Sequence, residues 1–431
     1  MEFNLISYKR KLFFLIGLFS TLGALIINIG GMDLAVLNIF IALALIIQIA
    51  SGKFYISKYK IPIILLFLTM IISTFGNSSS LVGNWQSESI KGTIKFVFFL
   101  APFCILYSDK ELFEYREVFF KGLKVSAYIQ LLWELLQIAF WNIANISINE
   151  VVFGQMLGIK IRRSWTFISD GRFRPTGVSW EPANLSLALV IGYCLSKNRY
   201  SKVLFIVGTI LSTSRTGIIL ISICVLLDLY KYFRGIRKNK DIEFKKVTLI
   251  LIIIMIIISL CTCLIFSKEI VNYINVLVED IVTTINKLSL SHLMEDSSAN
   301  VHTMYYLKAP FILFNSNLFN IFFGYGTFVA GYPYSSMLNV YTWQTGWNPE
   351  SDFITLLMGN GIIGLVLYYL ILYKCFKFNR NDFSKLKILA SITIAGILYI
   401  NIRSTWPFYI IMMLFVKDNT GRMSIRNGIK N

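Results

Sequence analysis

Residues 9–30 read KRKLFFLIGLFSTLGALIINIG, in which three basic residues precede an apolar run. A helix that crosses a membrane needs about 20 mostly apolar residues, and this run is long enough. It lacks the small-residue cleavage site of a secretory signal peptide, so we expect it to remain as the first membrane span. The basic residues before the run predict an N-terminus on the cytoplasmic side.

The whole chain has the composition of a membrane protein. Of its 431 residues, 56% are hydrophobic, 15% are aromatic and 15% are charged. Its mean hydropathy is +0.65. A soluble domain carries about a quarter charged residues, and a disordered chain carries more charge and fewer aromatic residues. Both classes are therefore excluded.

Apolar runs of spanning length, or close to it, recur along the chain. Their continuous apolarity, without alternation, favours helices over strands. We therefore predict an all-α polytopic membrane protein with about 12 transmembrane helices. The runs lie at about 12–30, 33–50, 61–76, 90–107, 121–140, 183–196, 202–213, 216–233, 247–266, 352–373, 387–402 and 406–416.

Two long polar segments divide the predicted bundle. Residues 1–266 hold the first nine spans and an arginine-rich outer loop at about 141–182. Residues 267–350 form a large extracytoplasmic loop between the ninth and tenth spans, and residues 351–431 hold the last three spans and a cytoplasmic tail. Because a bilayer does not tolerate lipid-exposed irregular backbone, the long segments must fold on the outer face or line a cavity.

The distribution of basic residues predicts the orientation. With the N-terminus inside, the inside segments hold 29 of the 41 lysines and arginines, and every inside loop agrees. The whole net positive charge of +18 then faces the cytoplasm, together with both termini. This excess is attracted to anionic lipid headgroups. The lipid bilayer is thus a predicted partner, and nucleic acid is not.

Several arginines break this rule, because they fall on the predicted outer side. An outer arginine can pair with a local acid such as Asp170 and merely stabilise a loop. A guanidinium also binds phosphate oxygens bidentately and keeps its charge beside lipid, so these residues can form a site for the pyrophosphate of a lipid carrier. The outer arginines are Arg162, Arg163, Arg172, Arg174, Arg215 and Arg403.

Four further titratable residues are candidates, and each has a structural alternative. Glu181, before Pro182, either starts a helix or faces the arginines, and these roles are compatible. Glu350, at the start of the tenth span, is either a partner of the helix dipole or a general base. His302, in the large outer loop, could bind phosphate or move a proton. Glu134 lies deep in a predicted span, where a carboxyl is functional or bonds a neighbouring helix.

Three local patterns stand out, RPTGVSWEPANLSLAL at 174–189, LSTSRTGIIL at 211–220 and ESDFITLLMGNGIIG at 350–364. In this order they resemble the superfamily of O-antigen ligases and Wzy-type polysaccharide polymerases, which are C-type glycosyltransferases. In the third pattern, Ser351, Gly361 and Gly364 fit the ligase spacing, but Glu350 stands where ligases have a histidine. This departure favours a polymerase.

The resemblance implies a polymerase at the outer face of the bacterial cytoplasmic membrane. It would transfer a growing glycan from undecaprenyl pyrophosphate to the non-reducing end of a lipid-linked repeat unit, with inversion and without metal or cofactor. Arg174 and Arg215 would stabilise the leaving pyrophosphate, and Glu350 would accept the hydroxyl proton. Undecaprenyl-pyrophosphate-linked oligosaccharide is the predicted substrate, and a flippase and a chain-length regulator are candidate partners. The remaining candidates for substrate binding are Arg163, Arg172, Glu181, His302 and Arg403.

Two alternatives remain open. A ligase would move the finished glycan to a different acceptor, and the missing histidine disfavours it. A transporter or flippase for the lipid-linked oligosaccharide would need charges along a central pathway through the bilayer. In this sequence the charges gather at the outer ends of the spans, and only Glu134 lies deep.

Overall fold

The computed structural model describes residues 2–29, 32–52, 55, 58–77, 81, 84–159, 167–169, 172–179, 181–238, 297–338, 351–399 and 406–416. Within these ranges the chain is mainly α-helical, as predicted. A short 3-10 helix (Lys58–Lys60) and a π-helix (Glu150–Met156) interrupt the pattern. The described helices are α1 Glu2–Ser20, α2 Val36–Ala50, α3 Ile61–Gly76, α4 Asn84–Leu106, α5 Asp109–Ala144, α6 Pro182–Leu195, α7 Arg199–Leu211, α8 Arg215–Lys238, α9 Ser297–Phe314, α10 Leu318–Phe323, α11 Gly331–Leu338, α12 Asp352–Phe378, α13 Phe383–Leu398 and α14 Trp406–Leu414.

One described helix, α12, is long and apolar enough to cross a membrane by length and composition. Helices α2, α3 and α6 are also apolar but shorter. The predicted count of about twelve spans and the predicted orientation stay predictions. The ninth predicted span, at 247–266, lies outside the described residues.

The first predicted span is wrong in its second half. Helix α1 ends at Ser20, and β1 (Ile26–Ile29) pairs with β2 (Met32–Ala35) in an antiparallel hairpin. The β-branched isoleucines of β1 favour a strand, and two glycines separate the strands in the sequence, as is common in two-residue hairpin loops. The chain therefore leaves the helix about ten residues before the apolar run ends. A second short hairpin joins β3 (Phe167–Ser169) to β4 (Arg172–Arg174).

Helices α1 and α5 lie side by side at very short range. A Cβ atom at Gly17 would lie 2.1 Å from the carbonyl oxygen of Phe119, and one at Gly122 would lie 2.1 Å from that of Phe14. Only glycine allows two helix backbones to approach this closely. At one end of the contact Lys9 pairs with Glu111 at 3.3 Å.

Lysine–carboxylate pairs collect at this same end of the bundle, where α1, α3, α5 and α13 begin. Lys60 pairs with Asp109 at 3.5 Å, and Lys385 pairs with Glu117 at 2.8 Å. Three lysines of this end, Lys9, Lys60 and Lys385, are thus paired with carboxylates of α5.

A carboxylate in α8 ties four helices together at the same end. Asp228 accepts hydrogen bonds from Lys202 of α7 at 2.6 Å, from Lys387 of α13 at 2.6 Å and from Tyr193 of α6 at 2.8 Å. The Lys387 side chain is only 2% exposed. These bonds fix the relative positions of the helices whose opposite ends carry the candidate site.

Replacing Asp228 by Asn should destabilise the protein by about 2–4 kcal/mol, because the buried Lys387 would lose its ionic partner. The matched control is Asp382→Asn, since Asp382 pairs with Lys385 at 3.0 Å but is 44% exposed. An exposed pair contributes about 0–1 kcal/mol, so the control should barely change stability. Thermal unfolding in detergent gives both midpoints, and equal midpoints for the two variants would contradict this role of Asp228.

Candidate functional site

Arg174 connects the β3–β4 hairpin to the turn between α7 and α8. Its Nε donates a hydrogen bond to the Thr213 hydroxyl at 3.1 Å, and its Nη2 donates to the Thr213 carbonyl at 2.6 Å. Two bonds from one guanidinium to one residue fix the plane of the side chain as well as its position. Thr213 itself adopts a left-handed conformation with φ of 49°, which is uncommon for a residue other than glycine.

The α7–α8 turn brings Arg215 to the same place. Arg215 is the first residue of α8 and lies two residues after Thr213. The Ser214 hydroxyl accepts from the Gly217 amide at 3.2 Å and from the Ser186 hydroxyl at 3.2 Å, which holds the start of α8 against α6. The first amides of a helix carry partial positive charge, so an arginine there concentrates positive charge at one point. Together these features make a site suited to an anion.

Gly217, in the first turn of helix α8, has a packing role. A Cβ atom at Gly217 would lie 2.4 Å from the Cβ of Ser186 in α6. Within the Ser-Arg-Thr-Gly pattern, Ser214 thus stabilises the helix start and Gly217 allows the close approach of α8 to α6. The serine and the glycine of the pattern are therefore explained by the structure of the helix start that carries Arg215.

Glu181 starts α6, but its side chain does not cap the helix. Its backbone carbonyl accepts from the amides of Asn184 and Leu185, at 3.1 and 3.2 Å. Its carboxylate accepts a 2.5 Å hydrogen bond from the Tyr399 hydroxyl, just after α13. Glu181 thus links α6 to the segment that leads toward Arg403. The sequence analysis missed Tyr399, because no local pattern marks it.

A second set of contacts surrounds the start of α12. Tyr306 of α9 donates to the Ile397 carbonyl at 2.6 Å and shares a 2.5 Å hydrogen bond with the Ser351 hydroxyl. Burial raises the pKa of Tyr306, and the bond with Ser351 opposes this only in part. The phenol therefore stays protonated at neutral pH. His302 precedes Tyr306 by four residues in α9, so the helix that carries His302 is joined to the residue that follows Glu350.

Asp352, next to Ser351, is buried between α12 and α13. Its carboxylate is 3.5 Å from the Tyr368 hydroxyl, and its Oδ2 would lie 2.5 Å from a Cβ atom at Gly396. The Asp352 side chain thus packs against α13 at the beginning of α12.

Several candidate residues lie outside the part of the chain that the structure describes. Arg163, Arg403 and Glu350 lie outside the described residues, and so do the side chains of Arg172 and His302. The structure therefore brings together Arg174 and the turn of Arg215, and separately Glu181 and Tyr399. The other proposed members of the site stay predictions.

Glu134 is fully buried in α5, as its position in the sequence predicts. Neither of its carboxylate oxygens has a hydrogen-bond partner among the described residues, so the alternative of a bond to a neighbouring helix is not seen there. Its Oε2 would lie 3.0 Å from a Cβ atom at Gly208 in α7.

Helix α12 breaks where the third sequence pattern has its glycines. Gly361 has φ of 68°, and a Cβ atom there would lie 2.3 Å from the Phe322 carbonyl oxygen. The Met358 carbonyl accepts from the Tyr325 amide at 2.8 Å, and the Gly359 carbonyl accepts from the Gly326 amide at 3.0 Å. The break is thus closed by the chain that follows α10.

This closing segment is buried although it belongs to the predicted outer loop. Thr327, Val329 and Ala330 are fully buried. The Thr327 hydroxyl accepts from the side-chain Nδ2 of Asn360 at 2.8 Å and donates to the Met70 carbonyl of α3 at 3.1 Å. Part of the loop therefore enters the helical core. The sequence contains a Gly-x-Gly at 324–326 and another at 359–361. These two small-residue segments are the signal from which their close contact could have been predicted.

One comparison with known proteins bears on this arrangement. Residues 200–369 match the family model described as O-antigen ligase. The match covers about two-fifths of the chain, from α7 into α12, and includes Arg215 but not Arg174. No curated protein matches the chain. The match supports the resemblance to the superfamily of O-antigen ligases and Wzy-type polymerases, membrane proteins that transfer lipid-linked glycans.

Replacing Gly361 by Ala should destabilise the protein much more than replacing Gly52 by Ala. Gly52 has a similar φ of 65° but nothing lies within 4 Å of its missing Cβ, so it measures backbone strain alone. That strain costs about 1–2 kcal/mol, and the clash with Phe322 adds about 1–3 kcal/mol. Thermal unfolding in detergent compares them, and equal losses would show that the break tolerates a side chain.

Proposed function

We propose that the chain is a polysaccharide polymerase that joins lipid-linked repeat units on the outer face of the cytoplasmic membrane. The observation that carries the proposal is the double hydrogen bond from Arg174 to Thr213, two residues before Arg215. It assembles two arginines from distant segments at one helix start. Pyrophosphate carries the charge and the oxygen acceptors that such a pair binds.

The proposed reaction is one displacement at an anomeric carbon. A hydroxyl oxygen of the acceptor unit forms a bond to that carbon, and the bond from the carbon to the pyrophosphate oxygen breaks. The lipid pyrophosphate leaves with the electron pair, and the hydroxyl proton passes to the Glu350 carboxylate. Because the nucleophile enters opposite the leaving group, the anomeric configuration inverts.

Arg174 and Arg215 act on the charge that develops as the pyrophosphate leaves. Cations that are already oriented need no rearrangement during the reaction, so they stabilise the transition state strongly. Thr213 supplies this orientation for Arg174 through a hydroxyl and a carbonyl. Both of these acceptors are neutral groups.

The other candidates would bind the glycan and its carrier around this pair. Arg163, Arg172 and Arg403 would contact phosphate, and His302 would bind phosphate or assist Glu350. Glu181 would orient a sugar hydroxyl beside Tyr399. A flippase that delivers repeat units and a chain-length regulator are the proposed partners.

A ligase is the second candidate, because the matched family model carries that description. Residue 350 favours the polymerase. In the ligase pattern that residues 350–364 resemble, this position is a histidine, whereas here it is a glutamate. A ligase would transfer the finished glycan once to a different acceptor, whereas a polymerase extends lipid-linked glycan repeatedly. The two therefore give different products.

Purified protein with one lipid-pyrophosphate-linked repeat unit, and without nucleotide sugar or added metal, should produce a ladder of lipid-linked oligomers on a gel. Arg174→Ala and Arg215→Ala should each lower kcat by about 100-fold or more, as the loss of a preorganised charge stabiliser does. The matched control is Arg199→Ala, at the exposed start of α7, which should leave the ladder intact.

Normal ladders from both site variants would refute the role of the arginine pair. An unchanged single band from folded wild-type protein would contradict the polymerase. If that protein then transferred glycan to an added second acceptor, the ligase would be the correct function.

A further inference from the structure

The segment between β4 and α6 is buried without regular secondary structure. Residues 175–179 are all buried, and three consecutive backbone amides there donate to side chains of α5. The Gln137 Oε1 accepts from the amides of Thr176 and Gly177, at 3.1 and 2.7 Å. The Gln130 Oε1 accepts from the Val178 amide at 2.7 Å. Two glutamines therefore replace the backbone partners that a helix or sheet would supply.

The nitrogen atoms of the two carboxamides are also used. The Gln130 Nε2 donates to the Ser179 hydroxyl at 2.9 Å and to the Thr21 carbonyl at 2.7 Å. The Gln137 Nε2 is 3.4 Å from the Thr176 hydroxyl. A carboxamide offers both acceptor and donor groups, and here each side chain uses both.

The sequence of the segment matches this arrangement. Gly177 has φ of 60°, and a Cβ atom there would lie 2.2 Å from the Gln130 Oε1. A larger residue would displace the glutamine that holds Val178. Gln130 and Gln137 are seven residues apart, so they lie on the same face of α5.

A short covalent path joins these bonds to the site. Thr176 is separated from Arg174 only by Pro175, whose ring fixes its own φ. Holding the Thr176 amide therefore restricts the backbone that carries Arg174. From there the guanidinium reaches Thr213, beside Arg215.

We infer that Gln137, supported by Gln130, is a positioning residue of the glycan-transfer site. It acts through Arg174, by holding the backbone from which that guanidinium reaches the α7–α8 turn. This inference rests on the proposed function. It assigns a role in the reaction to a helix that the sequence patterns of the site do not include.

The test compares steady-state kinetics of Gln137→Met, Gln137→Glu and Gln86→Met with the lipid-linked repeat unit. Methionine has a similar length but cannot accept the two amide hydrogens, so kcat should fall about 10-fold or more while KM changes less than about 3-fold. Glutamate keeps an accepting oxygen and should retain kcat within about 3-fold of wild type. Gln86 is exposed in α4 and serves as the matched control, with unchanged kinetics.

A double variant separates positioning from general damage. If Gln137 acts through Arg174, adding Gln137→Met to Arg174→Ala should lower kcat by less than about 2-fold further, since coupled residues are not additive. Multiplicative losses, or wild-type kcat in Gln137→Met, would overturn the inference while leaving the polymerase intact. If Gln137→Met does not fold, Gln137→Asn, whose amide is too short to reach both N–H groups, should show the same loss. Absence of any ladder from wild type would overturn the proposed function itself, and the inference with it.

Discussion

The contact between Arg174 and Thr213 is the interaction on which the candidate site depends. It joins the β3–β4 hairpin to the turn that leads into α8. The two bonds, at 3.1 and 2.6 Å, orient a guanidinium beside a helix start that already carries Arg215. Positive charge gathered at a helix start attracts anions, because the first amides of the helix also carry partial positive charge. That attraction is the physical basis for the proposed binding of pyrophosphate.

The two ends of the bundle treat their basic residues differently. At the end where α1, α3, α5 and α13 begin, lysines meet carboxylates, as Lys202 and Lys387 meet Asp228. These pairs hold helices together. At the other end of α7 and α8, about 20 Å away along the helix, Arg174 is oriented by a hydroxyl and a carbonyl. The first arrangement stabilises contacts between helices, whereas the second orients a cationic side chain at a helix start.

Composition and short motifs predict the helical class and the arginine turn, because both depend on local sequence. Apolar runs indicate the helices, and Ser214 with Gly217 explains the turn that presents Arg215. Features that depend on distant contacts were missed. The break of α12 is closed by Tyr325 and Gly326, and the Arg174 segment is held by Gln137 from α5. The early end of α1 was missed for another reason, since hydropathy does not separate an apolar strand from an apolar helix.

The central claim is that Arg174 and Arg215 bind one pyrophosphate group. The most direct test is an electron cryo-microscopy structure of the protein in nanodiscs with undecaprenyl pyrophosphate. We expect phosphate oxygens within about 3 Å of both guanidinium groups, with Arg174 still bonded to Thr213. A pyrophosphate group bound away from both arginines would contradict the account.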